Sequence, residues 1–265
     1  MLKELLDTFH LEDIQSTEHP SDFIVQDPYN ILILRLPEVQ NKSIVTLSYA
    51  FVIYDELCYL YDRENKELNK LGSLVEMSDF VDDKTELLIK EVKSYHYEVE
   101  NLEEILYDEN YDSNFMQKWL TYKKNSSIIY RLMYHATLSF ELFVLYHKRH
   151  KSVNFKEVAY EDLLEHMERI RDMTQDTTDR LDPLYDFYRA KVDEKMNRNV
   201  YYLTLLSGFF LPLTLITGFF GMNTGGLLWV NDPHGTFKVL VSAIILELLF
   251  FLPFYFFNRR KSKNR

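Results

Sequence analysis

The chain has 265 residues, a formal net charge of −11 and 46% apolar residues, yet its mean hydropathy is slightly negative. The acidic balance argues against a nucleic-acid partner, because binding a polyphosphate requires basic surface. It suits cations, although acidity also keeps soluble domains dispersed. The single cysteine excludes an intrachain disulfide. The N-terminal segment mixes charges of both signs and is not expected to be a signal peptide.

The N-terminal part, residues 1–80, is expected to contain a small, mostly antiparallel sheet. Runs rich in Ile, Val, Leu and Tyr occur within residues 21–63, with turn residues at 28–30 and 55–56 between them. Such runs between turns are typical of strands.

The next part, residues 81–154, is predicted to be a helical hairpin. Helical spacing of apolar residues begins near Ser78, and a second helix is expected from about Asn114 to His150. At the end of that helix, His147 and His150 are interpreted as cations that complement the helix dipole.

A long helix is predicted over residues 155–220, where the residues unfavourable to a helix are Pro183 and Pro212. In its first half, eight positions recur at steps of four and three. They are Leu163, Met167, Ile170, Thr174, Thr177, Leu181, Leu184 and Tyr188. This stripe, here called the seam, is expected to pack against the preceding helices or against other copies of the chain. The alternative is that a separate helix begins at Pro183.

Two apolar runs near the C-terminus each have the length of a membrane-spanning helix. The first covers residues 200–220, and the second is assigned to 237–258. The external loop between them, 221–236, has no basic residue, whereas the tail 259–265 carries five. The positive-inside rule therefore predicts a cell-membrane protein with both termini in the cytoplasm.

Small and polar residues occur along the first apolar run. Asn197, Thr204, Leu211, Thr214 and Gly218 follow at steps of 7, 7, 3 and 4, so they share one helix face. Neutral oxygens repeated around an oligomer axis suit a cation that keeps most of its water, as Mg²⁺ does. The alternative is helix packing, which also favours small polar residues.

The triplet Gly221-Met222-Asn223 lies where the first apolar run stops. Gly221 is expected to let the helix end in a left-handed turn. Asn223 offers one acceptor oxygen and two donors. A ring of such carboxamides would select a hydrated dication at the outer mouth of a pore.

The segment LTLLSGFFLPLTLITGFFGMN, followed by a short loop, a second span and a basic tail, resembles the CorA family of divalent metal ion transporters. The resemblance implies an α+β fold: a cytoplasmic α/β domain, then a long stalk helix and two transmembrane helices, assembled as a funnel-shaped homopentamer. It also implies that the long helix lines the pore and that Gly221-Met222-Asn223 forms its mouth. By the same resemblance, Asp186 forms an inner acidic ring, and Asp162 lies near a cytoplasmic metal site.

The transported metal is left open between Mg²⁺, with Co²⁺ and Ni²⁺, and Zn²⁺. The intact triplet favours Mg²⁺, but the loop GGLLWVNDPHG is similar to members nearer the zinc-transporting ZntB branch. Asp232 and His234 are the ionisable side chains of that loop, and His is a better ligand for Zn²⁺ than for Mg²⁺. Asp232-Pro233 is also ordinary turn chemistry.

Glu247 lies in the middle of the second span, where a carboxylate is costly and marks function by default. We expect this carboxyl group either to be protonated or to be hydrogen-bonded to the first span, with Ser207 as the candidate partner. Its role is expected to be structural or proton-linked. In a proton-coupled transporter, His234 would be the second candidate.

Two other classes of protein remain to be weighed. The chain would be a membrane-anchored scaffold or sensor if its two spans only anchor the cytoplasmic part. An enzyme is not expected, because the sequence has no phosphate-binding glycine loop, nucleophile motif or paired metal-ligand motif. No organic cofactor is expected either.

Overall fold

The computed structural model describes residues 6–40, 43–107, 114–222, 226–229 and 231–262. The chain divides after Tyr188 into two compact units, Met1–Tyr188 and Arg189–Arg265.

The first unit contains a short helix, α1 (Thr8–Gln15), and a five-stranded antiparallel sheet in chain order. The strands are β1 (Asp22–Gln26), β2 (Tyr29–Gln40), β3 (Ser43–Tyr54), β4 (Leu57–Asp62) and β5 (Glu67–Gly72). β2 and β3 pair along their whole length, from Tyr29 opposite Tyr54 to Gln40 opposite Ser43. The expected antiparallel sheet is confirmed. β5 was not expected, because its sequence ELNKLG is mostly polar and has no β-branched residue.

The sheet is covered on both faces. Successive residues of a strand point to opposite sides. Leu32 and Leu34 of β2 pack in the large core with the helices that follow, whereas Ile31 and Ile33 pack with Ile14 of α1. This two-sided burial explains why β2 is almost continuously apolar.

Helix α2 (Leu74–Tyr107) begins earlier than the predicted start near Ser78. The reason is a capping box at Ser73. The Ser73 hydroxyl accepts a hydrogen bond from the N–H of Val75 at 3.2 Å, and the Glu76 carboxylate accepts one from the N–H of Ser73 at 2.6 Å. The motif SLVE carries this signal in the sequence.

Helix α3 (Phe115–His150) covers the sheet and ends near a buried histidine. His147 is 3% exposed, its Nδ1 lies 2.8 Å from the Ser152 hydroxyl, and its ring stacks on Phe155. Burial, with a smaller contribution from the charge of His150, lowers the pKa of His147 to about 4. The interpretation of His147 as a cation at the helix end is therefore wrong, because the folded protein holds this ring uncharged.

Helix α4 (Glu157–Gly221) is continuous over 65 residues and passes through Pro183 and Pro212, which confirms the single long helix. The seam is also confirmed: its first seven residues are buried and Tyr188 is half-buried. The partners of the seam are the preceding helices of the same chain. Trp119 of α3 donates a 2.7 Å hydrogen bond to the Leu181 carbonyl, and Leu184 packs with Leu102 and Leu106 of α2.

The second unit consists of the last part of α4, the loop and α5 (Gly235–Ser262), which contains the predicted span 237–258. By length and composition, α3 and α4 both have a segment apolar enough to cross a membrane. The apolar segment of α3 is half buried, as expected for a helix that covers a sheet. The apolar segment of α4 is not buried at all.

Candidate ion-conduction site

One face of α4 in the second unit is exposed and carries no charge. The helix has no acidic or basic side chain from Val200 to Gly221. Because it is continuous, the steps of 7, 7, 3 and 4 bring the five predicted pore-lining residues to one side, and all five are exposed. They are Asn197, Thr204, Leu211, Thr214 and Gly218. We call this side the neutral face.

The threonine hydroxyls of the neutral face have a defined orientation. Thr204 donates its hydrogen to the Val200 carbonyl at 2.8 Å, and Thr214 donates to the Phe210 carbonyl at 2.7 Å. A hydroxyl has one hydrogen and two lone pairs. Since the hydrogen is used by the helix backbone, the oxygen presents lone pairs to its surroundings. Water bound to a cation points its hydrogens outward, so it can donate to these oxygens.

A different side of α4 faces α5. It is a stripe of half-buried residues: Leu205, Gly208, Pro212, Ile216 and Phe220. On α5 the corresponding stripe contains half-buried Val239 and Ser242 and buried Ala243 and Glu247. At 3.6 residues per turn the α4 stripe lies roughly 120° from the neutral face. Therefore α5 leaves the neutral face uncovered.

The predicted mouth is described in part. Gly221 is the last residue of α4, and Met222 after it is 48% exposed. Asn223 lies outside the described residues. The left-handed turn expected at Gly221 is wrong, since Gly221 is helical. Among the described glycines near the mouth, Gly226 has a positive φ, at 98°.

The loop before α5 holds Asp232 in a turn. Its carboxylate accepts a 2.9 Å hydrogen bond from the His234 N–H and pairs with the Lys238 side chain. The bond from Lys238 is the main cause that keeps the pKa of Asp232 below its usual value, and the His234 N–H adds to it. The turn interpretation of Asp232-Pro233 is therefore confirmed. His234 is exposed, and a metal role for Asp232 or His234 stays a prediction.

The two predicted acidic residues on the first half of α4 are also exposed. Asp186 stays a prediction as an inner ring, since a ring needs several chains. A carboxylate oxygen of Asp162 lies 3.8 Å from Nε2 of His166, and Nδ1 of the same ring lies 3.7 Å from Asp82 of α2. Within the part of the chain that the structure describes, no group of three or more His, Cys, Asp or Glu side chains is arranged to hold a metal.

Sequence reasoning missed a second histidine contact between α2 and α4. Nδ1 of His96 lies 3.1 Å from the Thr177 hydroxyl, and its Nε2 lies 3.5 Å from Glu100. Arg180 of α4 approaches the same Glu100 at 3.5 Å. The partners on α4 are about 80 residues away in the chain, so no local spacing indicated them. The seam, which places Thr177 on the buried side, was the available signal.

The antiparallel sheet, the 65-residue α4 and the apolar α5 define an α+β chain with a long helix leading into a C-terminal helical pair. The profile of the CorA family, described as CorA-like Mg²⁺ transporter protein, matches residues 2–261. The chain therefore belongs to this family.

Solved structures share the fold over nearly the whole chain. The complete structure of the CorA magnesium transporter from Methanocaldococcus jannaschii aligns with a TM-score of 0.75 at 18% identity, covering 96% of this chain and 84% of that one. The full-length CmaX protein aligns with a TM-score of 0.66 at 16% identity, covering 94% of this chain and 81% of that one. At these identities the likeness concerns the fold.

Sequence similarity to curated relatives covers shorter segments. The divalent cation transporter CmaX of Pseudomonas aeruginosa is 38% identical over 72 residues, which are 27% of this chain and 20% of the relative. The zinc transport protein ZntB of Pectobacterium carotovorum is 41% identical over 63 residues, 24% of this chain and 19% of the relative. The cobalt/magnesium transport protein CorA of Methanocaldococcus jannaschii is 28% identical over 166 residues, 61% of this chain and 50% of the relative. The alignments thus span half or less of these relatives.

Proposed function

We propose that five copies of this chain form a pore that moves hydrated divalent cations across the cytoplasmic membrane, with Mg²⁺ as the main ion and Co²⁺ and Ni²⁺ as further ions. The observation that carries the proposal is the neutral face of α4. Its exposed threonine oxygens present acceptor lone pairs, and no charged side chain interrupts the helix from Val200 to Gly221. Such a face passes an ion with its water shell and offers no carboxylate that would trap it.

The same proposal assigns roles to the predicted site residues. Asn223 would ring the outer mouth, next to Gly221 and Met222, and Asp186 would form the inner acidic ring. The net charge of −11 would raise the concentration of dications at the cytoplasmic end. Both termini would lie in the cytoplasm, with α4 and α5 crossing the bilayer.

The alternative ion is Zn²⁺, carried by a transporter that is coupled to protons. Two observations favour it: the relative named as a zinc transport protein, and the exposed His234 in the loop that follows the mouth. Imidazole binds Zn²⁺ well and Mg²⁺ poorly. Under this alternative, His234→Ala would reduce Zn²⁺ uptake and leave Mg²⁺ uptake unchanged.

The test is metal uptake into vesicles that contain the purified protein, measured for Mg²⁺, Zn²⁺, Co²⁺ and Ni²⁺ with and without a pH gradient. We expect Mg²⁺ uptake that is independent of the gradient and abolished by Asn223→Ala. Uptake confined to Zn²⁺ and dependent on the gradient would favour the alternative. A chain that moves none of the four ions would be a membrane-anchored scaffold or sensor. Uptake that is unaffected by Asn223→Ala would contradict the place of Asn223 at the pore mouth.

The oligomeric state has its own test. A pentamer in detergent would have the mass of five 31.8 kDa chains after subtraction of bound detergent. A monomer or dimer under conditions that preserve uptake would contradict the pore.

A further inference from the structure

Glu247 is a buried titratable residue that the proposed pore does not use. The residue is 8% exposed, and neither carboxylate oxygen accepts a hydrogen bond from a described residue. The expected hydrogen bond to Ser207 is therefore wrong. Leu246 and Leu248, on either side of Glu247, are 52% and 57% exposed. The burial is thus specific to the side of α5 that faces α4.

The sequence of α4 and α5 near this carboxylate offers no charged group that would neutralise it. Residues 200–222 of α4 and the mouth contain no charged side chain, and residues 239–258 contain none besides Glu247 itself. Lys238 lies nine positions earlier, about 13 Å along the helix, and pairs with Asp232. An isolated carboxylate in an apolar site is strongly disfavoured, whereas the neutral acid is tolerated when it has a hydrogen-bond partner.

The position of Glu247 along α5 indicates which residue of α4 lies at the same level. Phe220 near the end of α4 and Val239 near the start of α5 line the same cleft beneath the loop. The two helices leave this cleft in opposite chain directions. Glu247 lies eight residues after Val239 on α5. Pro212 lies eight residues before Phe220 on α4. Both distances are about 12 Å, so Glu247 lies at the level of Pro212.

Pro212 has no N–H, so the carbonyl oxygen of Gly208, four residues earlier, lacks its helical donor. Gly208 is half-buried on the stripe that faces α5, and no atom lies within 4 Å of the position that a Cβ of residue 208 would occupy. The space beside the α carbon of Gly208 is therefore open. In membrane helices, carbonyls freed by proline are satisfied by groups from neighbouring helices.

We propose that Glu247 is a proton-binding site. It holds one proton as the neutral acid and donates it as a hydrogen bond to the Gly208 carbonyl that Pro212 leaves without a donor. Loss of that proton to water would leave a carboxylate that cannot donate, and this hydrogen bond between α5 and α4 would be lost. The inference goes beyond the proposed function and does not depend on transport.

Infrared spectroscopy of the protein in lipid vesicles tests the protonation directly. The spectrum of the wild type minus that of Glu247→Gln isolates the Glu247 signal, because the two proteins differ at this residue alone. We expect the C=O stretch of a protonated carboxyl group that moves to lower frequency in D₂O. Pro212→Ala, which restores the N–H to the Gly208 carbonyl, is expected to move this band to higher frequency. Absence of the band at pH 7, or a band whose frequency is unchanged by Pro212→Ala, would overturn the proposal.

A thermal double-mutant cycle tests the partner. In a Trp119→Phe background the fluorescence of Trp229 reports on the second unit, because the chain has two tryptophans. We expect Glu247→Leu alone to lower the unfolding midpoint by about 3 °C. In the presence of Pro212→Ala, the same substitution should lower the midpoint by much less. Glu247→Gln should keep the wild-type midpoint, because its amide N–H still donates.

The matched control is Ser242→Ala on the same side of α5. The Ser242 hydroxyl donates to the Val239 carbonyl of its own helix at 2.9 Å, so its effect should be the same with and without Pro212→Ala. An equal loss for Glu247→Leu in both backgrounds, or a Gln variant as unstable as the Leu variant, would contradict the hydrogen bond to Gly208.

Discussion

The hydroxyl of Tyr160, near the start of α4, donates a 2.7 Å hydrogen bond to the carbonyl oxygen of Leu74, the first residue of α2. Tyr160 is fully buried, and burial raises the pKa of its hydroxyl, so the group remains a donor throughout the physiological range. The bond therefore links the beginnings of two helices that are 86 residues apart in the chain.

We expect Tyr160→Phe to lower the free energy of unfolding by about 1 kcal/mol. The cost is that of one hydrogen bond, because the ring is retained and the Leu74 carbonyl also belongs to the α2 ladder. Urea unfolding in detergent, followed by the fluorescence of Trp119 in a Trp229→Phe background, measures it. Tyr160→Ala should cost about 3 kcal/mol or more, since it also opens a cavity. A Phe variant as stable as the wild type would show that the bond contributes nothing.

Two methionines of α4 form a matched pair for the seam. Met167 is fully buried, whereas Met196 is 55% exposed. Met167→Ala is expected to destabilise the first unit by about 2–4 kcal/mol, and Met196→Ala to change its stability by less than about 0.5 kcal/mol. The Trp119 signal measures both. Equal effects would mean that burial along the seam does not stabilise the unit.

The stability of the first unit should depend on His147 in mildly acidic solution. Between a pKa near 6.5 in the unfolded chain and about 4 in the folded chain, the unfolded state binds a proton that the folded state excludes. The free energy of unfolding therefore falls as the pH falls through this window, by about 3 kcal/mol at most.

His147→Phe keeps an aromatic ring at this position and removes the titratable imidazole. The unfolding free energy of the variant should therefore fall less between pH 6.5 and 4 than that of the wild type. The control is His135→Gln on the exposed side of the same helix, which should keep the wild-type slope. Parallel curves for the wild type and His147→Phe would be evidence against an uncharged buried ring.

Two threonines of α4 separate the neutral face from the rest of the helix. Thr204 and Thr217 are both exposed, and each donates to the carbonyl four residues earlier, at 2.8 and 2.9 Å. They are 13 residues apart, so they point about 140° from each other. Thr204→Val replaces the acceptor oxygen with a methyl group. We expect Mg²⁺ uptake to fall about tenfold, because the neutral face loses an acceptor for the water around the ion.

Thr217→Val makes the same chemical change away from the neutral face and should leave uptake within about twofold of the wild type. Both variants are compared in vesicles at equal protein density. A larger effect at Thr217 than at Thr204 would place the conduit on another side of α4.

The sequence predicted those parts of the fold that depend on local periodicity. The seam of α4 was identified because one helix packs its stripe along two neighbours of the same chain. The start of α2 was misplaced because the apolar spacing begins near Ser78, whereas the capping box that starts the helix lies at Ser73. β5 was missed because its pairing with β4, not its own polar residues, makes it a strand. The charge state of His147 depends on its burial among rings that include Phe23 of β1 and Phe155 beyond α3, which the spacing within the helix does not reveal.

The orientation of the Thr204 and Thr214 hydroxyls has a consequence for the sign of the ions that reach them. Their hydrogens are fixed on the backbone, so they meet an approaching solvent shell with electron pairs alone. Water around chloride or phosphate directs one hydrogen to the anion and its oxygen outward, and that oxygen would find no donor there. A conduit lined in this way would discriminate against anions without a single fixed negative charge along the membrane part of α4.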